Sequence, residues 1–191
     1  MMTPRFQLVE RQSGSLARAH EAHRRAGWFW KEKPPEGLNA WFGAERVEPL
    51  RTDVYLRDPS QDGLGLKRRD RAFEVKGLVA QLTSLDEGPF GRVIELWSKW
   101  ELGHRRFEEQ LAVTRLRRTQ KLPECQFELT QLSVQDQAWW TLGFEALGTL
   151  DSAERNLRAA IATVAKRRPP PLTDGTCESY PEWLRGIISG R

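Results

Sequence analysis

Cysteine and histidine are scarce in this sequence, which holds two cysteines and three histidines. Cys125 and Cys177 stand far apart and match none of the spacings of a zinc site. A structural zinc centre is therefore excluded and reduced thiols are expected, with a single disulfide left open. No Ser–His–Asp or Cys–His arrangement is indicated, so nucleophilic catalysis of that kind is not predicted.

Long apolar runs are also missing, and none approaches the about 20 residues that a membrane-spanning helix needs. No secretory signal is recognised at the beginning of the sequence, so we expect a cytoplasmic protein with no membrane partner. The segment Leu64-Gly65-Leu66 is followed by no predicted helix, which rules it out as a nucleotide phosphate loop.

The composition is that of an ordinary globular protein with a mild excess of positive charge. Of the 191 residues, 39% are hydrophobic and 29% charged, and the formal net charge is +4. This length suits one domain with a sizeable core. We expect an N-terminal extension over 1–26, a single domain over 27–191, and an anionic partner.

Alternating polar and apolar residues predict about eight strands, and four further segments are predicted to be helical. The predicted strands are 27–31, 53–57, 64–69, 73–79, 92–101, 111–119, 125–132 and 139–147. The predicted helices are 15–25, 36–42, 151–166 and 179–184. The expected fold class is α+β: an antiparallel, eight-stranded, tunnel-like β-barrel flanked by helices.

Charged residues recur at alternate positions of the predicted strands, so they share one face of the sheet. Lys67 and Arg69 lie on one face of their strand, as do Glu74 and Lys76 on the next. A solvated outer face with cross-strand ion pairs would explain this pattern. A hydrated cavity that receives an anion would explain it equally well.

The residue types on this face suit a polyphosphate bound with a divalent metal ion. Arginine and lysine bind phosphoryl oxygens, whereas carboxylates bind hard cations such as Mg²⁺ or Mn²⁺. The candidate phosphate-binding residues are Lys67, Arg69, Lys76, Arg115 and Arg117. The candidate metal ligands are Glu74, Glu95, Glu128 and Glu145.

Six short motifs occur in the order seen in a known superfamily. They are Asp53-Val-Tyr55, Lys67-Arg-Arg69, Lys76-Gly77, Arg115-Leu-Arg117, Phe144-Glu145 and Ser179-Tyr-Pro-Glu182. With this order the chain resembles the CYTH superfamily, the triphosphate tunnel metalloenzymes, over about 28–184. The superfamily includes inorganic and thiamine triphosphatases, RNA triphosphatases and class IV adenylate cyclases. The resemblance implies an eight-stranded tunnel, a triphosphate held by basic residues, and one or two divalent cations.

The chain departs from that superfamily at two expected metal ligands. The first-strand signature Glu-x-Glu-x-Lys is absent from 25–33, where only Glu32 and two lysines are comparable. Two residues after Glu145, where a second carboxylate is usual, stands Leu147. Two alternatives follow: either catalysis is lost in this chain, or the four glutamates bind the metal instead.

Three hypotheses follow. The first is a metal-dependent hydrolase of an inorganic or organic triphosphate, in which Glu128 and Glu145 are catalytic and orient the attacking water. The second is a protein that binds a polyphosphate, a nucleotide or an RNA end without cleaving it. The third is a structural barrel whose charges are solvated pairs and which has no ligand.

Overall fold

The computed structural model describes residues 20–56, 64–69, 72–82, 90, 94–102, 110–147 and 150–190. The strands are β1 (His20–Lys31), β2 (Arg46–Val47), β3 (Arg51–Leu56), β4 (Leu64–Arg69), β5 (Ala72–Leu82), β6 (Ile94–Leu102), β7 (Gln110–Leu122), β8 (Cys125–Val134), β9 (Gln137–Leu147) and β10 (Thr176–Cys177). The helices are α1 (Leu38–Phe42), α2 (Leu150–Ala165) and α3 (Tyr180–Ile188).

Eight strands follow one another around a curled antiparallel sheet. Their order is β1-β6-β5-β4-β3-β7-β8-β9, and β9 pairs again with β1. The short strands β2 and β10 add to β7 and β1. The predicted fold class is confirmed: an α+β chain whose strands form a tunnel-like barrel.

The first strand is longer than its sequence suggested. It begins at His20 rather than at position 27, and it pairs with β6 along its first half. The same strand pairs with β9 from His23 to Lys31 on its other edge. Residues 1–19 of the predicted extension lie outside the described residues.

One hydrophobic core lies on the outer face of the sheet, beneath α1 and α2. Trp28, Phe127 and Phe144 reach it from β1, β8 and β9, and α2 supplies Leu157 and Ile161. The Phe127 and Phe144 rings stack with centroids 4.4 Å apart. Because alternate residues of each strand face this core, the residues between them point into the barrel.

A second core fills part of the barrel interior around α3. Phe29 of β1 stacks on Trp183 of α3 at 5.0 Å, and Val113 and Leu132 come from β7 and β8. Ser179 begins the helix by accepting a hydrogen bond from the backbone N–H of Glu182. The apolar side chains of α3 close this part of the interior, and the remaining part stays polar.

None of the helices that the structure describes is long and apolar enough to cross a membrane.

Candidate functional site

A polar cavity of about 210 Å³ lies inside the barrel, beside the beginning of α3. Seven strands and the helix contribute to its wall. The lining residues are Tyr55, Gly65, Lys67, Arg69, Glu74, Lys76, Trp97, Arg115, Arg117, Glu128, Glu145, Ser179, Tyr180 and Pro181.

All five predicted phosphate-binding residues line this cavity. Lys67 and Arg69 come from β4, Lys76 from β5, and Arg115 and Arg117 from β7. Lys67 and Arg69 are two positions apart, as are Arg115 and Arg117, so both side chains of each pair lie on the inner face of their strand. The structure therefore brings together cations that are far apart in the sequence.

Three of the four predicted metal ligands, Glu74, Glu128 and Glu145, also line the cavity. Glu95 is buried on β6 but does not line it. Its carboxylate accepts hydrogen bonds from Nε1 of Trp97 at 3.0 Å and from Nε2 of Gln81 at 3.4 Å. Glu95 thus supports Trp97, which itself forms part of the wall.

A dense charge network lies behind one wall of the cavity. Lys67 Nζ is 2.9 Å from Asp53 Oδ2 and 3.3 Å from Glu74 Oε2. Arg69 bridges the same carboxylates, with Nε 3.3 Å from Asp53 and Nη1 3.0 Å from Glu74. These ion pairs hold Lys67 and Arg69 in one arrangement.

A second set of ion pairs lies further around the wall. Arg117 contacts Glu128 at 3.0 Å and Glu48 at 3.1 Å. Lys76 Nζ is 3.4 Å from Oε1 of Glu145, and both of these side chains are partly exposed. Each lining carboxylate is therefore already paired with a lining cation.

Burial and pairing set the charge states in the network. Burial lowers the pKa of Lys67 to about 8, although the neighbouring Asp53 opposes this shift. Burial alone would raise the pKa of Asp53, but Lys67, Arg69 and Arg51 together hold it below its usual value. Asp53 is therefore ionised at neutral pH, and most Lys67 side chains are still protonated.

The guanidinium group of Arg115 lacks a full set of hydrogen bonds. Its Nε and Nη2 atoms are buried and have no hydrogen-bond partner among the described residues. Nη2 is 3.6 Å from Asp53, which is an ion-pair distance rather than a hydrogen bond. Buried polar groups of native proteins are nearly always hydrogen-bonded. An anion in the cavity would supply the acceptors that Arg115 lacks.

The donor set does not by itself fit a divalent metal ion. Within the described residues, no group of three or more acidic, histidine or cysteine side chains is placed to hold one. Mg²⁺ and Ca²⁺ sites need several oxygen ligands directed at one point. Here Glu74, Glu128 and Glu145 instead face lysine and arginine side chains. The predicted Mg²⁺ or Mn²⁺ stays a prediction.

The first strand also lacks the carboxylates that the superfamily carries there. Phe29 occupies the inner face of β1 and packs on Trp183 and Tyr180. This part of the interior is apolar, and the ring of Phe29 has no oxygen that could bind a metal ion.

Sequence reasoning did not identify several residues of this site. Asp53 and Tyr55 were recognised only as a motif, although both lie on the inner face of β3. The signal for Asp53 was its position two residues before Tyr55 on an alternating strand. Ser179 and Tyr180 also line the cavity and were likewise recognised only as part of a motif, whereas no pattern in its own segment indicates that Trp97 does so.

No family model matches the chain, and no curated protein matches it. Among solved structures, it is similar to the PH1819 protein from Pyrococcus horikoshii OT3, with 12% identity and a TM-score of 0.48, covering 88% of this chain and 99% of that one. A conserved hypothetical protein from Pyrococcus furiosus has 15% identity and a TM-score of 0.41, covering 83% and 98%.

The S. pombe Pct1 RNA triphosphatase, solved in complex with the Spt5 CTD, has 14% identity and a TM-score of 0.39. The alignment covers 80% of this chain and 82% of that one. At such TM-scores the likeness carries no functional information, so the function of this tunnel rests on its own residues.

Proposed function

We propose that the tunnel binds a linear chain of phosphate groups, such as inorganic triphosphate or the triphosphate end of a nucleotide or RNA. The observation that carries this proposal is the clustering of five cations around one cavity that has only three lining carboxylates. Several cations spaced along a cavity match a ligand with several negative charges. Guanidinium groups also pair with phosphoryl oxygens in a bidentate geometry.

Binding without cleavage is the function that the geometry supports best. The lining carboxylates are paired with the protein's own cations, and Phe29 stands on the inner face of the first strand. A phosphate chain can take the place of the carboxylates beside these cations, since phosphate oxygens accept the same charge-assisted hydrogen bonds. This mode of recognition requires no metal ion.

Hydrolysis of the bound triphosphate is the second candidate. Glu128 and Glu145, the predicted catalytic residues, line the same cavity as Arg117 and Lys76. A divalent ion would neutralise phosphate charge in such a reaction. This candidate requires phosphate release that depends on Mg²⁺ or Mn²⁺ and is lost in Glu128→Gln.

Arg117→Ala tests the proposed binding. Arg117 lines the cavity, and we expect its loss to weaken tripolyphosphate binding about 10- to 100-fold, because a charge-assisted hydrogen bond contributes roughly 1.5–3 kcal/mol. Isothermal titration calorimetry with excess EDTA measures this change. The matched control is Arg158→Ala on α2, whose side chain pairs with Glu154 away from the cavity. Equal affinity of Arg117→Ala and the wild type would contradict the proposal.

A further inference from the structure

Asp53 lies at the centre of the tunnel's cations. It is fully buried, with 0% of its surface exposed, and it is not among the residues that line the cavity. Four cations surround its carboxylate: Arg51, Lys67, Arg69 and Arg115, at N···O distances from 2.9 to 3.6 Å. Three of these cations, Lys67, Arg69 and Arg115, line the cavity, so a phosphate there would contact them from one side while Asp53 holds them from the other.

The two oxygens of Asp53 divide the cations between them. Oδ1 faces Nε of Arg51 and Nε of Arg69, each at 3.3 Å. Oδ2 accepts the hydrogen bond from Lys67 and faces Nη2 of Arg115. The three cations that also line the cavity come from two different strands, β4 and β7, so one carboxylate fixes spacings that no single strand determines.

Like charges this close would separate without a shared counter-ion, because buried charges repel strongly in a medium of low dielectric constant. The side chains of Lys67, Arg69 and Arg115 are long and would adopt other rotamers to increase their separation. Glu74 also pairs with Lys67 and Arg69, so it is the position of these two cations relative to Arg115 that depends on Asp53.

We infer that Asp53 is a positioning residue that fixes Lys67, Arg69 and Arg115 in one arrangement at the cavity wall and thereby makes the tunnel prefer tripolyphosphate over separate orthophosphate ions. This inference rests on the proposed function. Asp53 acts through the three cations and does not contact the ligand. A cluster of the same charge without the fixed spacing would still attract phosphate but would distinguish chain length poorly.

Asp53→Asn tests this role, because the amide keeps the side-chain shape and removes the charge. Calorimetry in excess EDTA, at a temperature well below the unfolding transition of each variant, gives the affinities for tripolyphosphate and for orthophosphate. The ratio of the two affinities is the readout, since a loss of fold stability alone leaves it unchanged. We expect the ratio to fall at least about tenfold, which corresponds to about 1.4 kcal/mol.

Glu145→Gln is the control for charge, because it also removes one carboxylate from the tunnel interior but the structure pairs that carboxylate with Lys76. We expect it to change the ratio less than Asp53→Asn does.

If Asp53→Asn does not fold, combining it with Arg51→Met restores the net charge. Arg51 contacts Asp53 but does not line the cavity, so the same fall in the ratio is expected.

The outcomes separate the inference from the proposed function. A wild type that binds neither anion overturns the proposed function. A wild type that prefers tripolyphosphate, with an unchanged preference in the Asp53 variant that folds, overturns the positioning role alone. An equal fall in Glu145→Gln would also overturn it, because the effect would then follow from charge and not from spacing.

Discussion

Lys67 shows how a single residue of the tunnel can respond to pH. Its ammonium group is buried, lies between Asp53 and Glu74, and sits 5.8 Å from the centre of the Tyr55 ring. Burial disfavours the charged form, whereas the two carboxylates favour it. The pKa of Lys67 is therefore lowered to about 8, which is close enough to physiological pH that the positive charge available to bind an anion changes with pH.

We predict that Lys67 makes tripolyphosphate binding depend on pH. The lysine is a cation below its pKa and neutral above it, so its contribution to affinity falls as the pH rises through about 8 and above, since the bound anion itself raises the pKa. Calorimetric titrations across this range measure the effect. Lys67→Met should bind more weakly at low pH and lose this component of the pH dependence.

Lys121→Met provides the matched control, because Lys121 is exposed on β7. It should follow the wild-type pH profile. A Lys67→Met profile that runs parallel to the wild type at every pH would show that Lys67 does not titrate in this range.

Among the elements, α3 links the apolar part of the interior to the polar cavity. Trp183 and Ile187 face the core that contains Phe29, while Tyr180 and Pro181 line the cavity. A capping box fixes the beginning of this helix at the cavity wall. The cap therefore fixes the part of the cavity wall that Tyr180 and Pro181 form.

We predict that Ser179→Ala lowers the free energy of unfolding by about 1 kcal/mol, the usual cost of losing an N-cap side chain. The variant loses the acceptor for the backbone N–H of Glu182 but keeps its own N–H, which donates to the Glu182 carboxylate. Urea denaturation measures the change. Ser189→Ala is the control, because Ser189 is exposed at the other end of α3. Equal stability of the two variants would contradict the role of the cap.

The strands differ in how well their own residues predict them. β4 was predicted with the bounds it has, Leu64–Arg69, because a turn signal precedes it in the sequence. The first half of β1 was wrongly predicted as part of a helix over 15–25, because its polar residues lack alternation. It is a strand because β6 and β9 supply hydrogen-bond partners, and such pairing is not encoded within the segment.

At the scale of the whole molecule, the site is a product of strand register. Because side chains alternate along a strand, the sequence correctly predicted that Lys67 and Arg69 share one face of β4. The same alternation puts Arg115 and Arg117 on one face of β7, and all four residues line the cavity. Asp53 could not be assigned a role from the sequence, because three of its four cations depend on how β3 pairs with β4 and β7. Register between strands follows from the packed barrel and not from any one segment.

The placement of the carboxylates shows the same limit. Glu74, Glu128 and Glu145 reach the cavity, as their strand positions suggested, but Glu95 supports Trp97 instead. Whether a carboxylate binds a metal ion or pairs with a lysine or arginine depends on which side chains lie opposite it in the barrel. Alternation within one strand contains no information about that partner.

The most direct test of metal-independent binding is a ³¹P NMR titration of tripolyphosphate with the protein in excess EDTA. Binding without a metal ion predicts that the tripolyphosphate resonances shift or broaden with added protein and that no orthophosphate resonance appears. Unchanged tripolyphosphate resonances would contradict it, as would changes that occur only after Mg²⁺ is added. Orthophosphate that accumulates only with Mg²⁺ would establish the hydrolase instead.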